Sequence, residues 1–123
     1  MAYLTPRKRA TGMGSAKSGV EHFWNMKVSS IGLLILVPLF LFTFGPALGS
    51  SYEEMVAYYQ HPFPAIVAIL TLSVGFMHFK NGFQVLIEDY VHGAAGQYSI
   101  IAMNCLCYAA AATGIFSIIR IAL

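Results

Sequence analysis

Charge is scarce in this chain: Asp, Glu, Lys and Arg make up 10% of 123 residues, while 58% are hydrophobic. A soluble domain carries roughly a quarter charged residues, so the composition points to a membrane protein. Cysteine is nearly absent as well, with only Cys105 and Cys107. Two apart on a helix, they point in well-separated directions, which argues against a shared metal or a disulfide between them. Each reads as a small buried hydrophobe. The chain has neither an iron–sulfur type cysteine cluster nor a glycine-rich nucleotide loop. Its polar segments are too short to build a soluble catalytic domain with its own core. Any chemistry is therefore expected within a helical bundle or at its interface with a partner.

Three windows supply the roughly 20 apolar residues that a bilayer crossing needs: about Val28 to Leu48, Phe63 to Leu86 and Tyr98 to Ile121. The fold class expected is an all-α membrane protein, three transmembrane helices in a bundle. Residues 1–27 form a basic N-terminal arm, and residues 28–123 the transmembrane anchor domain. Arg7, Lys8, Arg9, Lys17 and Lys27 precede the first span, whereas the loop from Gly49 to Pro62 carries Glu53 and Glu54 and no Lys or Arg. The positive-inside rule places the N-terminus in the cytoplasm, or in the matrix of a mitochondrion. Three crossings then bring Arg120 to the opposite side. A secretory signal is disfavoured, because its apolar region runs about 7 to 15 residues and the one here is nearer twenty. The arm up to Lys17 is basic and lacks acidic residues, so a transit peptide is the lesser reading of it.

Trp24 and Lys27 suit the aromatic and basic anchors of a membrane interface, and Tyr52, Tyr58, Tyr59 and His61 suit an aromatic belt on the far side. Pro38 removes a backbone donor within the first span and predicts a kink. Ala109 to Ala112, Gly114 and Ser117 give the third span small residues suited to close helix contact.

His78 is the most informative residue. It lies deep in the second span, where an unpaired polar group costs several kcal/mol and ionisable residues usually mark function. Gly75, His78, Gly82 and Asp89 share one side of a helix, and Gly82 removes bulk one turn beyond the imidazole. This is suited to a flat macrocycle, or another helix, pressed against the backbone. The competing reading makes His78 a hydrogen-bonded tie between helices. His22, His61 and His92 lie near the boundaries, so a second axial imidazole would have to come from another chain. Lys80 sits about 200° from His78 around the helix and receives no role.

Glu88, Asp89 and Tyr90 end the second span about 15 to 18 Å from His78 along the axis. An interfacial tyrosine is most often an anchor. Here the phenol adjoins a carboxylate at the boundary, where a lipid-soluble carbonyl compound can accept a hydrogen bond and exchange protons with water.

Two stretches resemble the small membrane-anchor subunit of succinate dehydrogenase, respiratory complex II. One is Gly14, Ser15, Ala16, Lys17, Ser18 and Gly19 followed by His22, Phe23, Trp24 and Lys27, similar to alphaproteobacterial members. The other, more specific, is His78, Gly82, Gln84, Val85, Leu86 and the Asp89-Tyr90 pair. The resemblance implies that His78 is an axial ligand to the iron of haem b shared with the other anchor, and that Tyr90 and Asp89 belong to the ubiquinone site. Lys27 stands where an arginine near the haem propionates is expected; it keeps the charge without bidentate geometry. The implied partners are a second, cytochrome b anchor, an iron–sulfur subunit and a flavoprotein, with FAD and iron–sulfur clusters confined to those chains. The complex would oxidise succinate, as in the tricarboxylic acid cycle, and pass electrons to ubiquinone. The isolated chain would be inactive. The implied location is a bacterial inner membrane, or the mitochondrial inner membrane in a eukaryote, with no nucleic acid among the partners. The alternatives are a purely structural anchor and a quinol:fumarate reductase anchor.

Overall fold

The computed structural model describes residues 5–12, 14 and 17–123. Ser15 and Ala16 of the arm motif lie outside the described residues. Among those described, every regular element is helical: α1 (Pro6–Thr11), α2 (Gly19–Phe44), a 3-10 turn (Gly45–Ala47), α3 (Tyr52–Tyr59), α4 (Pro62–Tyr90) and α5 (Gly93–Ala122). Three helices are long and apolar enough to cross a membrane, Gly19–Ala47, Pro62–Tyr90 and Gly93–Ala122. The fold is the expected all-α, three-span bundle.

The first crossing helix starts well ahead of Val28, so His22, Trp24 and Lys27 sit on its opening turns. Pro38 lies inside α2 without ending it. The loop between the first two spans contains α3, which the hydropathy windows did not anticipate. It is started by a capping box: the Glu54 amide donates to Ser51 Oγ at 3.3 Å, and the Ser51 amide donates to Glu54 Oε2 at 2.9 Å. The reciprocal bonds satisfy two amides that a helix start otherwise leaves unpaired. Hydrogen bonding from Ser51, backbone first and hydroxyl second, holds the Glu54 carboxyl below its ordinary value.

Pro62 occupies the first turn of α4, where its missing donor costs nothing. Only Val91 and His92, both extended, separate α4 from α5. Gly93 takes φ +71°, a left-handed conformation that a side chain resists. The turn leaves so little room that a Cβ on Gly96 would collide with the Val91 carbonyl oxygen.

α4 is the central helix, packed along both α2 and α5. Near the α3 end, Tyr59, Ala65 and Ala68 form a buried cluster with Phe40, Phe44 and Ile118 around it. Near the other end, Ile87, Met103 and Cys107 are buried together against Phe76 and Ile100. Small residues set the closeness of approach: a Cβ on Gly114 would lie 3.1 Å from Leu72 Cδ1. Of Ala109 to Ala112 only Ala111 is half-buried, so most of that run faces outward from this chain. Cys107 is buried and Cys105 exposed, as their divergent directions require.

Candidate functional site

The seam between α2 and α4 is antiparallel and has three rungs. Gly82 lies against Met26, with 3.7 Å between its notional Cβ and Met26 Cε. His78 Nδ1 is 3.0 Å from Ser29 Oγ. Gly32 lies against Val74, with 3.5 Å between its notional Cβ and Val74 Cγ1. Met26, Ser29 and Gly32 are spaced by three along α2, and Gly82, His78 and Val74 by four along α4, each set on one helix face. A glycine on either side of the imidazole brings the backbones close enough for serine and histidine to meet. Gly82 thus makes room for α2 of the same chain, on the side toward which His78 is turned.

Ser29 is 2% exposed. Its hydroxyl also lies 2.8 Å from the Asn25 carbonyl and 3.0 Å from the Met26 carbonyl. His78 is half-buried. Among the described residues no hydrogen bond reaches its Nε2, and that atom is not among the enclosed unpartnered ones. A helix tie uses one ring nitrogen and leaves the other unexplained, whereas an axial ligand needs both, one for iron and one for a second-shell partner. The chemistry of this imidazole fits haem.

Toward the start of α2 and the end of α4 the seam opens into a polar cleft of about 500 Å³, lined by Glu21, His22, Asn25, Asn81, Gln84 and Glu88 together with Lys80. Gln84 Nε2 donates to Glu88 Oε1 at 2.8 Å. Among the described residues, His22 Nε2 is enclosed with no hydrogen-bond partner. Lys80 turns toward α5, where its ammonium lies 3.4 Å from the Tyr108 hydroxyl and 5.5 Å from the centre of that ring.

Of the other residues singled out in the sequence, Lys27 borders this cluster, lining a cavity with His22 and Met26, whereas Asp89 and Tyr90 stand apart from it. Lys27 is exposed, its Nζ 5.5 Å from the centre of the Phe23 ring. Asp89 and Tyr90 are exposed at the last turn of α4, and among the described residues neither side chain makes a hydrogen bond. Along α4 they remain about 16 to 18 Å from His78.

Ser29 escaped the sequence reading. Its signal was faint: Asn25, Ser29 and Gly32 repeat at helical spacing on a helix that also carries Glu21, His22, Lys27 and Ser30, a small polar stripe that serves equally well for close packing. Asn81, buried between helices, gave no periodic signal beyond its neighbourhood to Lys80.

The family model described as succinate dehydrogenase/fumarate reductase transmembrane subunit matches residues 1–114. The chain is 39% identical over 123 residues to the succinate dehydrogenase hydrophobic membrane anchor subunit of Paracoccus denitrificans, covering 100% of this chain and 95% of that protein. It is 31% identical over 84 residues to the equivalent subunit of Rickettsia bellii, covering 68% and 66% of the two chains. No solved structure matches. Three apolar helices, a mid-span histidine and full-length likeness to a named anchor agree, and the chain belongs to the succinate dehydrogenase/fumarate reductase transmembrane subunit family.

Proposed function

We propose that this chain anchors a succinate:ubiquinone oxidoreductase, that His78 is an axial ligand to haem b, and that Tyr90 and Asp89 form part of the ubiquinone site. One observation carries the haem assignment: an imidazole in the middle of a crossing helix has Nδ1 engaged by Ser29 and Nε2 unengaged by any described residue. The relatives' names favour succinate oxidation over the reverse direction.

Haem b bound at this face supplies one-electron redox capacity. His78 would hold the haem iron, with Ser29 of α2 holding the imidazole in place. Lys27, resting over Phe23, is a cation that could meet a propionate, offering charge without a fork of donors. At the boundary Tyr90 presents a phenol donor to a ubiquinone carbonyl oxygen, where negative charge builds as electrons arrive from the iron–sulfur subunit. Asp89 orients the local polar network or exchanges protons with water. The flavoprotein and iron–sulfur subunits would oxidise succinate and carry its electrons, and a second anchor would supply the haem's other protein ligand. The basic arm faces the cytoplasm of a bacterium or the matrix of a mitochondrion.

The test is His78→Ala in the native complex, purified with its partner subunits and examined by reduced-minus-oxidised visible spectroscopy. The expected result is lost haem, or altered absorption and spin state, with succinate oxidation by an artificial acceptor retained. A parental haem spectrum in a fully assembled variant would overturn the ligand assignment.

A further inference from the structure

We propose that Ser29 is a positioning residue for the haem site, its hydroxyl accepting the Nδ1 proton of His78 and thereby placing the ring's lone pair on Nε2. The inference rests on the reading of His78 as an iron ligand and adds a residue from the opposite helix that decides which nitrogen can bind.

The argument follows the protons. A serine hydroxyl has one proton and two lone pairs. Ser29 Oγ lies 2.8 Å from the Asn25 carbonyl and 3.0 Å from the Met26 carbonyl. Both are acceptors only, so they take that proton. The third neighbour, His78 Nδ1 at 3.0 Å, therefore meets an oxygen able only to accept, and Nδ1 carries the hydrogen. A neutral imidazole has a single N–H, which leaves Nε2 with the lone pair that a metal requires. Water does not compete for the oxygen, since Ser29 is 2% exposed.

The position is also fixed mechanically. The rungs Met26 with Gly82 and Gly32 with Val74 stand one turn to either side, so a slip of α2 along α4 that broke the Ser29 contact would have to break both. The same hydrogen bond makes the ligand more basic, as carboxylate or carbonyl partners do for other metal-bound histidines, and loss of such a partner typically weakens metal affinity 10–100-fold. A more basic ligand favours ferric over ferrous iron. Removing the acceptor therefore raises the haem midpoint potential.

The experiment compares Ser29→Ala, Ser29→Thr, Ser30→Ala and His78→Ala in the assembled complex, by optical redox titration of the haem and by its loss to excess apomyoglobin. Ser29→Ala should shift the midpoint potential upward and lose haem about 10–100-fold more readily. Ser29→Thr should restore both, because a helical threonine hydroxyl can keep the same backbone bond. Ser30→Ala should match the parent, since among the described residues Ser30 Oγ bonds the Met26 carbonyl, at 2.7 Å, and does not reach His78. Parental potential and retention in Ser29→Ala, alongside a haem that His78→Ala disrupts, would overturn the role of Ser29 alone. A shift in Ser29→Thr equal to that in Ser29→Ala would also overturn it, by making volume the cause. A parental spectrum in His78→Ala would overturn the ligand reading, and the role of Ser29 with it. Should Ser29→Ala not assemble, Ser29→Cys fills the space with a poor acceptor, and a parental potential there would equally refute the proposal.

Discussion

Tyr90→Phe removes a single oxygen, and the structure makes its consequences separable. Tyr90 is 79% exposed at the end of α4. Its hydroxyl has no hydrogen-bond partner among the described residues, so the fold loses nothing internal. The ring remains to anchor at the interface. Stability and assembly should therefore move by no more than about 0.5 kcal/mol, the usual range for surface substitutions. If the phenol donates to a quinone carbonyl, its loss removes a donor aimed at developing negative charge, which typically costs about 100- to 1,000-fold in rate, or about 2.7 to 4 kcal/mol. The two expectations differ enough for one preparation to decide. Succinate-driven ubiquinone reduction should fall by one to three orders of magnitude, while haem content and succinate oxidation with a phenazine acceptor stay parental. The full range of quinone concentrations must be covered, since a change in KM alone would reveal a contact made equally to bound substrate and transition state. Equal quinone reduction rates in variant and parent throughout that range would refute the reasoning and leave Tyr90 an interface anchor.

Gly96→Ala should destabilise the assembled complex by about 1 to 3 kcal/mol, the usual cost of overpacking, because its Cβ would strike the Val91 carbonyl. Thermal denaturation of the purified variant and parent checks this, and equal midpoints would show that the α4–α5 turn relaxes freely. For orientation, a C-terminal alkaline phosphatase fusion in a bacterial host should be active, and inactivity there with an active cytoplasmic reporter at the same position would reverse the topology.

The crossing helices were legible because each needs only a long apolar run, a local property. His78 was legible for a related reason, since one imidazole deep in such a run stands out without knowledge of its neighbours. Ser29 was not, because serine is unremarkable in a membrane helix and its meaning comes from a partner 49 residues away. That meeting depends on the register between α2 and α4, which Gly32 and Gly82 help set and hydropathy does not encode. Lys80 was opaque for the same reason, its partner Tyr108 being on α5. The miss at α3 is different in kind. Ser51 and Glu54 spell a capping box locally, but attention to apolar windows passed over an eight-residue helix outside them.

The contact between Lys80 and Tyr108 bears on how the chain enters a membrane. α4 and α5 are joined by Val91 and His92 alone, so the pair forms a helical hairpin whose arms are adjacent from the moment both are made. A lysine near the centre of an inserting helix carries a penalty of about 2.5 to 3.5 kcal/mol. The ammonium of Lys80 meets the Tyr108 hydroxyl and ring across that hairpin, and an exposed contact of this kind offsets about 0.5 to 1 kcal/mol. The most awkward charge in the second crossing helix is thus partly offset by its own hairpin partner, with no contribution needed from α2.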